Sequence, residues 1–146
     1  MPQVELLVVA SARQAPGLRA RVMRELQTWG VRLDGAAADM VGVIVSNTFA
    51  TALHGPHLGQ LVIVRLVLSG HELAVEVFAG ATTFPPHRTA DAGSAGRFPR
   101  VLAIYAVETG IETGARGTRY WATVHLPAPA RRRRRWPRLP RPYTLA

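Results

Sequence analysis

Apolar residues recur with a helical period in two segments near the N-terminus. In residues 16–29, apolar positions are spaced four residues apart, proline lies in the first turn and Gly30 follows the segment, which together predict a helix. Asp34 precedes a second, strongly apolar segment that extends to about Leu53, and an aspartate in this position is typical of a helix N-cap. The sequence therefore predicts two consecutive helices.

Four other segments have the composition and apolar pattern of β-strands. The two central segments are separated by Ser69-Gly70-His71, a turn short enough to join them as an antiparallel hairpin in the middle of a sheet. A segment that contains glycine, proline and serine then extends from residue 80 to residue 96, and a third helix is predicted at residues 99–108. The predicted strands cover residues 4–9, 60–68, 72–79 and 118–126.

This order of elements predicts an α+β fold. Helices that cover one face of a sheet bury the apolar sides of both layers, so we expect a two-layer sandwich with about three helices on one face of a mostly antiparallel, mixed sheet. A chain of 146 residues is about one domain in size, and such a domain buries roughly two-thirds of its unfolded surface. We assign this domain to residues 1–126.

The composition limits the chemistry and the cellular compartment. The chain contains no cysteine, which excludes disulfide bonds, a thiol nucleophile and a cysteine-ligated zinc site, and suits the reducing cytoplasm. The apolar N-terminal segment has no preceding basic region and is interrupted by Glu5, so it is predicted to be a strand and not a signal peptide. The apolar run at residues 61–68 contains Arg65 and is much shorter than the roughly 18 residues of a membrane span. We therefore expect a soluble, cytoplasmic protein without a membrane span.

The net charge of +9 is concentrated at the C-terminal end. All 18 basic residues are arginine and seven of them follow Ala130, which leaves 11 basic and 9 acidic residues in the first 130 positions. Residues 127–146 consist mainly of proline and arginine and are predicted to form a disordered tail. The tail is a solvated segment, a contact for nucleic acid or an anionic surface through Arg131–Arg141, or a protein-docking segment.

Polar side chains lie on one side of the second predicted helix. Asn47 and Thr51 are four residues apart and project from the same face, and His54 lies close to that face. Polar groups beside such an apolar helix require either a ligand pocket or a buried hydrogen-bond network. The residue pattern alone leaves both interpretations open.

Two other patterns are weaker. His54 and His57 are three residues apart, but no carboxylate has the spacing that would complete a metal site, so no metal ligand is assigned. Ser46 lies in the middle of a predicted helix and lacks the glycine-flanked turn of a hydrolase nucleophile. We interpret these residues as structural or solvent-exposed.

The second helix also resembles a nucleotide-site motif. In the anti-sigma-factor serine kinases, within the histidine-kinase and Hsp90-like ATPase superfamily, this helix carries Ser-Glu-x-x-x-Asn-Ala followed closely by His. The matching positions of this chain hold Ser46, Asn47, Thr51, Ala52 and His54. The element order from about residue 3 to residue 126 is similar to that of the same family. The resemblance implies a Bergerat-type ATPase fold, with ATP and magnesium as ligands.

The charged positions of the motif are replaced in this chain. Asn47 occupies the position of the family's catalytic Glu, and Thr51 that of the Asn that holds magnesium and phosphate. The family's adenine-binding turn, Asp-x-Gly or Asp-Gly, matches Phe78-Ala79-Gly80, which keeps the glycine and lacks the carboxylate. Because a hydrogen bond to a charged group contributes about 1.5–3 kcal/mol, this loss weakens nucleotide binding roughly 10- to 150-fold. These replacements weaken the expectation of ATP and magnesium, and no catalytic residue is assigned.

Two further family motifs match in part. The glycine box that covers the phosphates matches the segment from Gly93 to Arg97, but Pro99 follows it and removes an amide donor from the start of the next helix. The run from Gly117 to Trp121 resembles the signature of the family's last strand. By this resemblance, the residues that would hold a nucleotide are Thr51, Gly80, Gly96, Arg97 and Thr118.

The resemblance implies a bacterial regulatory protein that binds a sigma factor or an anti-sigma antagonist and that often forms a homodimer. The structural glycines and aromatic residues match the family better than the catalytic positions do. We therefore expect a pseudoenzyme that acts mainly by protein binding, with weak or lost ATP binding. Two alternatives remain, namely an ATP-binding serine/threonine kinase with an altered pocket and a nucleic-acid-associated protein that acts through the arginine-rich tail.

Overall fold

The computed structural model describes residues 1–54, 58–80, 108–114 and 117–127. Within these residues the chain forms five β-strands, two α-helices and a short 3-10 helix. The elements in chain order are β1 (Gln3–Val9), the 3-10 helix (Ala12–Gln14), α1 (Ala15–Thr28), α2 (Gly35–Leu53), β2 (Leu61–Ser69), β3 (Glu72–Ala79), β4 (Glu108–Gly114) and β5 (Gly117–His125). The predicted α+β class is confirmed for this part of the chain.

The five strands form one sheet in the order β1-β2-β3-β5-β4. Every neighbouring pair is antiparallel, so the prediction of a mostly antiparallel sheet is confirmed, and the described strands include no parallel pair. β2 and β3 form the predicted hairpin in the interior of the sheet, with Ser69 opposite Glu72 and Gly70 at φ +61° in the turn. Among the described strands, β1 and β4 lie at the two edges of the sheet.

The ends of both helices have the predicted signals. α1 buries Leu18, Val22 and Leu26, the residues of its four-residue repeat, and Gly30 follows it at φ +77°, a conformation that glycine adopts without steric cost. Asp34 caps α2, because its Oδ1 accepts a hydrogen bond from the backbone N–H of Ala37 at 2.7 Å.

The hydrophobic core lies between the helices and one face of the sheet. Alternate residues of each strand point to opposite faces, and in β2 and β3 those that point into this core are all buried. We call this side of the sheet the helix face and the opposite side the second face. The core residues of the two interior strands are Val62, Val64, Leu66, Leu68, Leu73, Val75, Val77 and Ala79, and those of α2 are Val41, Ile44, Val45, Phe49 and Ala52.

One predicted element differs from the structure. Glu108, placed at the end of a third helix, is instead the first residue of β4, while residues 99–107 lie outside the described residues. β4 was not predicted because glycine and glutamate, which are depleted in strands, make up four of its seven residues. Residues 81–96 and residues 128–146 of the predicted tail also lie outside the described part.

α2 has the length and composition of a membrane-spanning helix, and it is the only helix in the described residues that has them. The sequence interpretation considered shorter apolar runs and missed this one. The core helix of a soluble protein has the same properties, and α2 packs eight buried residues inward, among them Phe49 with no exposed surface. In the described structure α2 therefore packs as a core helix.

Candidate functional site

The residues of the predicted nucleotide motif lie on the C-terminal half of α2. Asn47 and Thr51 are half-buried, and His54 is exposed and follows the last residue of the helix. The backbone N–H of His54 donates to the carbonyl of Thr51 at 3.4 Å, which closes the end of the helix. The motif thus has the predicted position at the end of the helix, with Asn47 and Thr51 one turn apart.

The polar side chains of this half-helix bond to the backbone of α2 itself. Nδ2 of Asn47 donates to the carbonyl of Val43 at 2.8 Å, and Oγ1 of Thr51 donates to the carbonyl of Asn47 at 2.9 Å. Such bonds to the carbonyl four residues earlier satisfy a polar side chain without any external group. Of the two interpretations left open by the sequence, these bonds match the buried hydrogen-bond network.

Two further hydroxyl groups, those of Thr48 and Ser46, lie on the same part of α2. Thr48 is fully buried, and its Oγ1 donates to the carbonyl of Ile44 at 2.7 Å. Oγ of Ser46 is buried and has no hydrogen-bond partner within the described part of the chain. Since Ser46 lies in the middle of a helix and no described base bonds to it, it does not have the arrangement of an activated nucleophile.

Gly80 and Thr118 lie beside each other at one end of the sheet. Thr118 is opposite Ala79 in the β3–β5 ladder, and Gly80 follows Ala79 at φ +77°. β2 begins at this same end, because Val62 is opposite Ala79. α2 ends at Leu53, so seven residues connect it to the start of β2. The topology therefore places these predicted positions and the end of α2 around one end of the sheet, although no described hydrogen bond joins Thr51 to either residue.

The two positions that could match the adenine-binding carboxylate, Phe78 for Asp-x-Gly and Ala79 for Asp-Gly, lie on opposite sides of the sheet. Phe78 is opposite Ile63 on β2 and Arg119 on β5, and its ring lies on the second face. Ala79 belongs to the core of the helix face. A side chain at position 78 therefore points away from α2, whereas Asn47 and Thr51 belong to α2. Gly96 and Arg97, the other two predicted nucleotide-binding residues, lie outside the described residues.

A buried ion network occupies the second face, and the sequence interpretation missed it. Glu76 has no exposed surface, and its two carboxylate oxygens accept hydrogen bonds from Nε of Arg65 at 2.6 Å and from Nη2 of Arg119 at 2.7 Å. Glu112 on β4 lies 3.7 Å from Nη1 of Arg119. Within the described part of the chain, the two arginines thus lie beside two carboxylates on four neighbouring strands, in the order β2, β3, β5 and β4.

Aromatic rings support both arginines. The guanidinium carbon of Arg65 lies 4.9 Å from the centre of the Phe78 ring, and that of Arg119 lies 5.2 Å from the centre of the Trp121 ring. Both distances are within the range of a cation–π contact. On β4, Gly110 leaves room for the Trp121 indole, because a Cβ atom at this position would lie 2.4 Å from two ring carbons.

The strand register contains a signal that could have revealed this network. Arg65 and Glu76 are the only charged residues inside the apolar parts of the two hairpin strands, and the short turn at Gly70 sets them opposite each other. Two charges of opposite sign at matching positions of a hairpin predict a cross-strand pair. Because Glu76 is buried and bonded to both arginines, the network supports packing on the second face and does not have the accessibility of a catalytic site.

A cavity of about 430 Å³ lies between β1 and α1. Glu5, Leu6, Leu7 and Val8 line its strand side, and Gln14, Gly17, Leu18, Arg21 and Arg24 line its helix side. A second cavity of about 480 Å³ lies at the turn between the helices, against Gln27 and residues 30–33. Neither cavity is lined by the polar residues of α2.

The described residues contain no group of three or more histidine, aspartate or glutamate side chains that could hold a metal ion. Burial raises the pKa of the Tyr120 phenol above its ordinary value of 10.0. This shift keeps the phenol neutral in the core and provides no general base at neutral pH. In comparisons with known proteins, no protein-family model matches the chain and no curated protein has significant similarity to it.

Proposed function

We propose that this protein is a regulatory, partner-binding protein related to the anti-sigma-factor kinases, with a Bergerat-type domain in which ATP binding is weak or lost. The observation that carries the proposal is the hydrogen bonding of the Asn47 and Thr51 side chains. Both side-chain donors bond to carbonyls of α2, at 2.8 and 2.9 Å. The hydrogen that each side chain donates to its helix is available to a phosphate oxygen only if that bond breaks, which lowers the gain from nucleotide binding.

The chemistry of the two side chains supports the loss of phosphoryl transfer. Asn47 carries no charge and cannot accept a proton as a carboxylate would. Thr51 offers one hydroxyl oxygen in place of an amide oxygen, and its proton is already donated to a backbone carbonyl. Magnesium prefers carboxylate and phosphate oxygens in octahedral geometry, so this pair is a poor ligand set.

The arrangement of the sheet gives a second line of support. A nucleotide that contacts α2 lies on the helix face, whereas Phe78 lies on the second face beside Arg65. Restoring an aspartate at position 78 would therefore place its carboxylate beside Arg65 and Arg119. If the family's turn is Asp-x-Gly, the implied pocket therefore has no adenine-binding group at this position. If the turn is Asp-Gly, the position is Ala79, which lies on the helix face and has no polar side chain.

The partner-binding part of the proposal is supported by the edge of the sheet. β1 is an edge strand, and apolar side chains are exposed at this edge, with Leu7 71% and Leu61 63% accessible. Exposed apolar side chains beside an unpaired strand edge are typical of a surface that other chains contact. The sigma factor or anti-sigma antagonist implied by the resemblance is the class of partner that we propose, in a cytoplasmic setting.

Isothermal titration calorimetry tests the loss of nucleotide binding. Folded protein is titrated with ATP and with ADP to millimolar concentration, with and without magnesium, beside the Thr51→Ala and Gly96→Pro variants. We expect no saturable heat for any of the three proteins. Saturable micromolar binding that both variants abolish would contradict the proposal and would favour a kinase with an altered pocket.

A second titration examines the arginine-rich tail. Binding to single-stranded DNA is measured at several salt concentrations, for the full chain and for a chain that ends at residue 126. A steep salt dependence that disappears with the tail would favour a nucleic-acid-associated protein, because counterion release by arginine side chains produces such a dependence. Regulation by protein binding alone predicts no such difference at physiological salt.

A further inference from the structure

We propose that the free edge of β1 and the cavity beside it bind an extended peptide from a partner protein as a sixth strand, with acidic side chains toward α1 and apolar side chains on the second face. This inference rests on the proposed partner-binding function and specifies the surface and the chemistry of the partner. Its basis is the hydrogen-bond parity of β1, the exposed side chains along this edge and the charge of the cavity.

The parity of the ladder shows which backbone groups of β1 face outward. The N–H of Ala10 donates to the carbonyl of Gln60 at 2.8 Å, and the N–H of Leu68 donates to the carbonyl of Pro2 at 2.9 Å. Both bonds fit the β1–β2 register, and bonded pairs alternate along an antiparallel ladder. The even-numbered residues of β1 therefore bond to β2. The N–H and C=O groups of Gln3, Glu5 and Leu7 point to the free edge.

The series of outward-facing N–H and C=O groups along β1 ends at Val9. Val9 also presents its N–H to the edge, but its carbonyl already accepts a hydrogen bond from Ser11 at 2.8 Å. The described residues provide no strand on this side of β1. A continuous row of outward donors and acceptors from residue 3 to residue 7 can hold a peptide about 4.8 Å away by main-chain bonds.

The side chains of β1 on the second face are polar at Gln3 and Glu5 and apolar at Leu7 and Val9, so the apolar contact for an added strand is centred on Leu7. Leu7 is 71% exposed and Leu61 is 63% exposed, and Val9, opposite Leu61, is also exposed. Ile63 lies opposite Leu7 and is half-buried. A peptide beside β1 would place alternate side chains next to Leu7, and apolar side chains there would cover surface that is otherwise in water.

The other side of the added strand would face the cavity between β1 and α1. Arg21 and Arg24 project from α1 into the lining of this cavity, together with the polar side chain of Gln14. Two carboxylates offset part of this positive charge, because Glu5 also lines the cavity and Glu25 pairs with Arg21 at 3.2 Å. Arg24, which has no described carboxylate partner, carries the larger attraction for an anion. Glutamate or aspartate at the alternate positions of the peptide is therefore favoured.

The same charges disfavour two other occupants of this edge. A second copy that paired through β1 would bring the two α1 helices together, each with Arg19, Arg21 and Arg24 against a single Glu25. Like charges across such an interface are unfavourable. The chain's own Arg131–Arg135 run has the same sign as Arg24. A separate acidic and apolar segment is the occupant that fits.

Fluorescence anisotropy with labelled synthetic peptides tests this inference. The probe is a peptide of about eight residues with alternating glutamate and valine, long enough to span the seven residues of β1. The control peptide has lysine in place of each glutamate. We expect saturable binding of the glutamate peptide to the full-length protein, at least tenfold tighter than that of the lysine peptide. Equal affinities, or no saturable binding to millimolar protein, would overturn the inference.

Variants of the edge identify the surface that binds. Leu7→Pro removes an outward N–H without removing a bond to β2, and proline is tolerated at such edge positions. This variant should weaken peptide binding by about tenfold or more, since it loses a main-chain bond and the Leu7 side chain. Leu7→Thr keeps the outward N–H and removes only the leucine side chain. Comparing the two variants therefore separates the loss of the main-chain bond from the loss of the side chain. Arg24→Glu should reverse the preference between the two peptides, and the fold of each variant is checked by circular dichroism.

The remaining outcomes are also decisive. Unchanged affinity in the folded Leu7→Pro and Arg24→Glu variants would place the peptide elsewhere and overturn the inference. A concentration-dependent dimer that Leu7→Pro abolishes would show that a second copy occupies the edge and would also overturn it. Failure at this edge leaves the nucleotide titrations unaffected, so it is distinguishable from failure of the proposed function.

Discussion

Glu76 lies directly opposite Arg65 in the β2–β3 hairpin, and Nε of Arg65 donates to Oε2 of Glu76 at 2.6 Å. The other carboxylate oxygen of Glu76 accepts from Arg119. Replacing the Glu76 carboxylate by the neutral amide of glutamine leaves the two buried guanidinium groups without this negative charge. We predict that Glu76→Gln lowers the free energy of unfolding by about 3–5 kcal/mol, measured by urea denaturation.

Glu112→Gln is the matched control for this change. The Glu112 side chain is 38% exposed and lies 3.7 Å from Arg119, so solvent screens the pair. We expect its loss to cost no more than about 1 kcal/mol. A cost of Glu76→Gln that is as small as that of the control would contradict a central role for Glu76 in the network.

The second prediction concerns Gly110 and Trp121. A Cβ atom at Gly110 would lie 2.4 Å from two carbons of the Trp121 indole, so alanine cannot fit unless the ring or β4 moves. Gly110→Ala should destabilise the protein by about 1–3 kcal/mol and change the near-ultraviolet circular dichroism of tryptophan. Gly114→Ala has open space around its Cβ and should change stability by less than about 0.5 kcal/mol.

The N-cap of α2 is a third test. Oδ1 of Asp34 accepts the N–H of Ala37 at 2.7 Å, and this bond satisfies one of the free donors in the first turn. Asp34→Ala should lower the free energy of unfolding by about 0.5–2 kcal/mol. Asp39 is exposed on the same helix and makes no described side-chain bond, so Asp39→Ala should be nearly neutral in the same denaturation experiment. Equal effects of the two substitutions would contradict the capping role.

Tyr120 gives a prediction about pH. Because burial raises the pKa of its phenol above 10.0, the folded state binds this proton more tightly than the unfolded state does. The resulting stability is fully present below pH 10 and is lost as pH rises through the raised pKa. The free energy of unfolding should therefore fall more steeply above pH 10 in the wild type than in Tyr120→Phe. Parallel curves for the two proteins would contradict this assignment.

Local signals predicted most of the described fold. The helix caps at Gly30 and Asp34, the four-residue repeat of α1 and the turn at Gly70 act within a few residues, so single-sequence patterns can identify them. β4 depends on a contact with another strand. Gly110 is favoured there because of the Trp121 ring, and a residue chosen for a tertiary contact does not follow strand propensity.

The candidate site was predictable in its position and less so in its chemistry. The helical spacing placed Asn47 and Thr51 one turn apart on α2, as observed, but the bonds of both side chains to helix carbonyls depend on rotamers that no pattern specifies. The face on which Phe78 lies follows from strand register and could have been derived from the hairpin turn. Whether a nucleotide contacts any of these residues stays a prediction.

The most direct test of the account is a titration of ¹⁵N-labelled protein with magnesium ATP, followed by nuclear magnetic resonance. The side-chain amide of Asn47 and the backbone amides of Thr51 and Gly80 report on three of the described positions of the implied pocket. The account predicts that these signals show no saturable shift at micromolar nucleotide concentrations. Shifts at Asn47 and Gly80 together that saturate at micromolar nucleotide would contradict it and would show a working nucleotide site.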